Sequence, residues 1–119
     1  MVVVVLLALL IGAGRPPAAT IGTGTSRVPL AITSWCWDTH CGAPLAQSAG
    51  RVVVQRGAAV HVELKLAPVA ATATVGGSPV KPVINGREVT WTTTRGGGLS
   101  LYVKYPRGWV IYSARVALR

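Results

Sequence analysis

Apolar and polar residues alternate with a period of two along most of this chain, and no segment shows the helical period. Val28, Leu30 and Ile32 alternate with Pro29, Ala31 and Thr33, which predicts a first strand. Continued onward, that alternation puts Cys36 on the buried face and turns Trp35 and Trp37 the other way. Arg51 to Gln55 predicts a short β-branched strand, followed by a turn at Arg56-Gly57-Ala58. Val60, Val62, Leu64 and Leu66 alternate with His61, Glu63 and Lys65, the signature of a half-buried strand. Thr72 to Val75 predicts another, ending at Gly76-Gly77.

Turn chemistry orders the second half of the chain. Asn85-Gly86, between Val83-Ile84 and Arg87-Val89, predicts a two-residue hairpin turn with φ > 0 at both positions. Its first arm carries Pro79 and Pro82, which cannot donate to a ladder and so belong at a sheet edge. Its second arm runs through inward Val89, Trp91 and Thr93 to a flexible Gly96-Gly97-Gly98. Leu99, Leu101, Val103 and Tyr105 form one apolar set, and Val110, Tyr112, Ala114, Val116 and Leu118 another. A loop of Pro106-Arg107-Gly108-Trp109 that pairs Tyr105 with Val110 puts both sets on one face. Ser100, Tyr102 and Lys104 then share the other face with Ile111, Ser113 and Arg115. About seven short strands separated by turns predict an all-β, two-sheet antiparallel sandwich of the immunoglobulin-like class over residues 28–119, with a small barrel as the alternative.

The N-terminus follows different rules. Val2 to Ile11 is an unbroken apolar run followed by Gly12-Ala13-Gly14, which matches a secretory signal peptide and falls short of the about 20 residues a spanning helix needs. No Lys or Arg precedes the run, as a start codon assigned too far downstream would explain. The signal peptide is assigned to residues 1–19, with cleavage between 14 and 20, either after Gly14 or near Ala19. Residues 20–27 read as a flexible lead without periodicity. No cysteine follows the run at a lipid-anchoring position, so the expected destination is secreted or extracytoplasmic at the cell envelope, with no transmembrane helix in the mature form.

Twelve Lys and Arg against three Asp and Glu give a net charge of +9. The excess attracts polyanions: an anionic cell-wall polymer or a membrane surface. Nucleic acid gains nothing beyond charge, because no recognised motif is present and export argues against it.

The stretch Ser34-Trp35-Cys36-Trp37-Asp38-Thr39-His40-Cys41-Gly42 gathers both cysteines and two of the four tryptophans. Export favours a Cys36–Cys41 disulfide. The loop it closes is so short that the bond contributes about 2 kcal/mol and serves mainly to shape the turn. The alternative is a small extracytoplasmic metal or redox protein using Cys36, His40 and Cys41, with Asp38 beside them. That set lacks the paired ligand spacings of structural zinc sites, and no C-x-x-C redox motif is present. No other cofactor is called for. Trp35-Cys36-Trp37 followed by Cys41 resembles small exported proteins of Gram-positive bacteria with a Ser-Tyr/Trp-Cys-Trp…Cys signature. Tyr105-Pro106-Arg107-Gly108-Trp109 and Tyr112 look like their terminal aromatic hairpin. The resemblance implies an envelope-exposed β-sandwich and no particular activity; those proteins are often lipid-anchored, and this chain lacks the anchoring cysteine.

Catalysis finds little material. His40 and His61 are the only imidazoles, Asp38, Glu63 and Glu88 the only carboxylates, and no nucleophile-elbow motif occurs. A secreted hydrolase is therefore a weaker alternative than a binding or structural module, and the chain reads as a non-enzyme. Trp35, Trp37 and Trp109, with Arg107, are the candidate ligand-binding residues, since aromatic surfaces beside basic groups stack sugars or bases.

Overall fold

A computed structural model of the chain describes residues 15–23, 26–42 and 50–119. The expected apolar leader, residues 1–14, lies outside the described residues, as does most of the Gly42–Gly50 loop.

The described chain is all β, without a helix, and forms two sheets packed as a sandwich. Its strands are β1 (Ala19–Thr23), β2 (Ser26–Pro29), β3 (Ala31–Trp37), β4 (His40–Gly42), β5 (Gly50–Val54), β6 (Ala59–Leu64), β7 (Ala70–Val75), β8 (Ser78–Val80), β9 (Val83–Asn85), β10 (Glu88–Thr92), β11 (Gly97–Tyr105) and β12 (Gly108–Leu118). One sheet has the order β2-β1-β6-β10-β9. The seven-stranded sheet has the order β4-β3-β12-β11-β7-β8, with β5 added alongside β12. The strands outnumber the expected seven because two expected strands divide between the sheets and because β1 and β4 form in segments not expected to be strands. Val28–Thr33 is broken at buried Leu30, whose N–H donates to the Ala19 carbonyl (3.0 Å), and β2 and β3 enter different sheets. The segment 78–85 likewise supplies the edge strand β8 to one sheet and the edge strand β9 to the other, as its prolines require.

The flexible lead expected before residue 28 is partly strand. β1 lies between β2 and β6, with Ile21 fully buried. Its five residues are too short to show a pattern on their own, and the pairing with β6 is what orders them. Strand β6 ends at Leu64, so Leu66 is exposed rather than inward. The glycine run expected to be flexible opens β11, where Gly97 approaches Gly76 too closely for a side chain.

The terminal hairpin has the predicted faces: Leu99, Leu101, Val103 and Tyr105 are buried with Val110, Tyr112, Ala114 and Val116. Its register differs by two. Tyr105 pairs with Gly108 across a two-residue turn, Pro106-Arg107, so Val103 faces Val110. A shift of two leaves every side chain on its own face. At the β9–β10 hairpin the turn residues are Gly86 and Arg87, with Asn85 inside the strand and φ positive only at Gly86. Val89, Trp91 and Thr93 are buried as expected. Strand β12 is the spine of its sheet, antiparallel to β3 along its first half and parallel to β5 along its second.

Candidate functional site

The Trp-Cys stretch forms the β3–β4 hairpin. Asp38 and Thr39 make a two-residue turn, with Asp38 at φ 57, a conformation that Asp tolerates better than most residues. Cys36 and Cys41 are directly opposite and disulfide-bonded. Both sulfurs are thereby consumed, and among the described residues no group of three His, Cys, Asp or Glu could hold a metal ion. The Cys36/His40/Cys41 metal reading therefore has no thiolate to use.

The expected parity of this stretch is reversed. Between Ile32, opposite Tyr112, and Ser34, opposite Ile111, the ladder slips by one residue, so Thr33 is an extra residue in a β-bulge. One inserted residue exchanges the two faces for everything that follows. Trp37 is consequently core, 2% exposed, and Cys36 is only half-buried instead of inward. Trp35 is half-buried against the core, and its indole occupies the space a side chain at Gly42 would need.

Trp37 anchors the corner. Its ring meets Tyr105 edge-on, with centroids 5.3 Å apart at 78°. The Arg107 guanidinium lies 5.2 Å from the Trp37 ring centre. Arg107 also donates to both Asp38 carboxylate oxygens, at 2.8 and 2.6 Å, and that pairing raises its already high pKa. The Asp38 N–H donates to the Arg107 carbonyl (2.8 Å). Arg107 and Trp37 thus latch two neighbouring turns together. Beneath them a hydroxyl chain runs inward: Tyr105 donates to Tyr112 (2.8 Å), which donates to the Pro17 carbonyl (2.7 Å). That order follows because the single Tyr112 proton is already committed to Pro17.

Trp109 lies on the outer face of the seven-stranded sheet, opposite Cys36 on one side and Lys104 on the other. Tyr102 stands diagonally across the β11–β12 ladder, its ring centre 5.9 Å from that of Trp109 and its plane tilted by 31°. Both rings are half-buried, so each leaves part of its surface to solvent. Beyond Tyr102 a shallow groove of about 300 Å³ continues between Thr72, Thr74, Ser100, Pro79 and Pro82. Along β12 the outward positions after Trp109 are Ile111, Ser113 and Arg115. The alternation of β11 and β12 assigned Tyr102 to this face, but nothing in the sequence marked it as a partner of Trp109.

Charge is segregated between the two outer faces. Glu63 pairs with Arg27, and Glu88 with His61 (3.3 Å), all on the five-stranded sheet. Glu63 and Glu88 are also direct cross-strand neighbours, a carboxylate pairing not legible in the sequence. Each is held by its own cation on an open surface. Asp38, the remaining acid of the chain, is bound to Arg107 at the turn. The outer face of the seven-stranded sheet therefore presents Lys104, Arg51 and Arg115 without an acidic side chain among them. His40 and His61 lie on different sheets and form no common site. Comparison with protein-family models, curated proteins and solved structures finds no match to this chain.

Proposed function

We propose that this chain is an exported, cell-envelope-associated binding module that holds an anionic envelope polymer on the outer face of its seven-stranded sheet. The observation that carries the reading is the Tyr102–Trp109 aromatic pair beside Lys104, on a face whose other charged side chains are arginines and which has no acidic side chain. Flat, partly exposed rings accept the C–H faces of sugars, and flanking cations attract the acidic groups the sugars carry. Trp37 and Arg107 supply the rigid corner from which Trp109 projects, rather than contact surface. Export rests on the apolar run before Gly14 and is supported by the disulfide, which persists in oxidising compartments. No helix among the described residues is long and apolar enough to cross a membrane.

Retention on an anionic wall polymer should fall steeply as salt rises, since exposed charges are screened over about 10 Å at 0.1 M. Trp109→Ala combined with Lys104→Gln should abolish retention, and equal retention at low and high salt would refute the reading. The position of Pro17 bears on processing. Cleavage after Gly14 preserves the carbonyl that Tyr112 binds, whereas cleavage near Ala19 removes it along with the start of β1. The intact mass of the exported protein should therefore correspond to a chain that retains Pro17.

A further inference from the structure

We infer that Arg51 and Arg115 form an oxyanion clamp for the acidic groups of that polymer, an inference that rests on the outer-face reading and narrows its ligand. Strand β5 runs parallel to β12, and Arg51 lies directly beside Arg115. Adjacent strands are about 4.8 Å apart, and the inward neighbours Val52, Val54, Ala114 and Val116 are buried, so both arginines project from the same outer face. Like charges directly opposite each other destabilise a sheet. The chain has only three acidic side chains, and each is engaged elsewhere: Asp38 by Arg107, Glu63 by Arg27 and Glu88 by His61. No side-chain carboxylate is left to neutralise this pair.

The surroundings add to the imbalance. The Arg119 N–H donates to the Val54 carbonyl (2.9 Å), which fixes the backbone of a third arginine at the end of β5. Arg51 and Arg119 line a common cavity of about 490 Å³. On the other flank the cross-strand partner of Arg115 is Gly98, where a side chain would meet nothing within 4 Å. A second cavity, about 440 Å³, opens there between Arg51, Gly97 and Arg115. A guanidinium donates two parallel hydrogen bonds to a phosphate or carboxylate. Two such forks on adjacent strands converge on one oxyanion, and its charge removes the repulsion between them. Arg115 lies six positions along β12 from Trp109, about 20 Å, so one extended glycan can stack on the aromatic pair and place an acidic group in the clamp.

The test uses the full chain with three probes: poly(glycerol phosphate), polygalacturonate and, as neutral control, dextran. Arg51→Gln/Arg115→Gln should weaken binding of the preferred anionic probe at least about tenfold, with a melting temperature equal to or above that of the parent. Gly98→Glu, which fills open space beside Arg115 with an internal carboxylate, should weaken binding similarly and raise stability. Response to poly(glycerol phosphate) alone identifies a phosphodiester ligand, and response to both anions extends the clamp to carboxylates. If both variants bind like the parent while Trp109→Ala weakens binding, the clamp is refuted and the outer face stands. If the parent binds neither anion better than dextran, the outer-face reading falls and the clamp falls with it.

Discussion

Replacing Tyr112 by Phe probes the hydroxyl chain that ties the start of the domain to its core. Tyr105 and Tyr112 are 2% and 0% exposed, so neither hydroxyl has water to fall back on. Tyr105→Phe removes one donor and leaves Tyr112 donating to Pro17, for a cost of about 1 kcal/mol. Tyr112→Phe breaks both bonds and leaves the Tyr105 hydroxyl buried without a partner, for about 2–4 kcal/mol. In the double variant the stranded hydroxyl is gone, so the loss shrinks to about 1–2 kcal/mol, below that of Tyr112→Phe alone. Urea unfolding of the four proteins measures these differences directly. Simple addition of the two single losses, or a Tyr112→Phe loss no larger than that of Tyr105→Phe, would refute the relay.

The same pair sets an alkaline limit. Burial pushes the Tyr105 hydroxyl up to about 12 and raises Tyr112 further, with the neighbouring tyrosine adding to the second shift. The folded state thus keeps protons that the unfolded chain releases near pH 10. Their stabilising contribution is complete below pH 10 and is lost as pH climbs toward about 12, by up to about 1.4 kcal/mol per pH unit for each tyrosine. The double Phe variant should show a flatter alkaline limb in a pH series of thermal melts, and an unchanged limb would contradict the assignment.

Three further outcomes follow from local geometry. Gly108→Ala drives a methyl into the Cys36 carbonyl and should cost about 2 kcal/mol or more, whereas Gly98→Ala, in open space, should stay within about 1 kcal/mol of the parent by urea unfolding. Thr93 is 1% exposed and its hydroxyl has no partner among the described residues, so Thr93→Val should stabilise the domain by about 1 kcal/mol; a destabilised variant would mean that the hydroxyl is bonded. Thiol titration of the unreduced protein should find no free cysteine, and Cys36→Ser/Cys41→Ser should cost about 2 kcal/mol; two reactive thiols would refute the disulfide.

What the sequence determined by itself is the alternation within each strand. Val60, Val62 and Leu64, then Val89 and Trp91, and then every second residue of β11 and β12, from Leu99 to Tyr105 and from Val110 to Val116, face inward as their period of two requires, because side-chain direction in a strand follows from the backbone of that strand. The prolines of 79 and 82 marked edges for the same local reason: a missing N–H is a property of the residue. Tertiary structure decided everything that depends on a partner. The Thr33 bulge exists only against β12, and it made Trp37 core when its own strand alternation pointed it outward. β1 became a strand because β6 offered a ladder, and Arg51 met Arg115 because β5 joined β12 in parallel. The candidate site depends on these partner effects. Trp109 meets Tyr102, and the arginines meet each other, across strands far apart in the chain, where hydrogen-bonded register places them and no local pattern could.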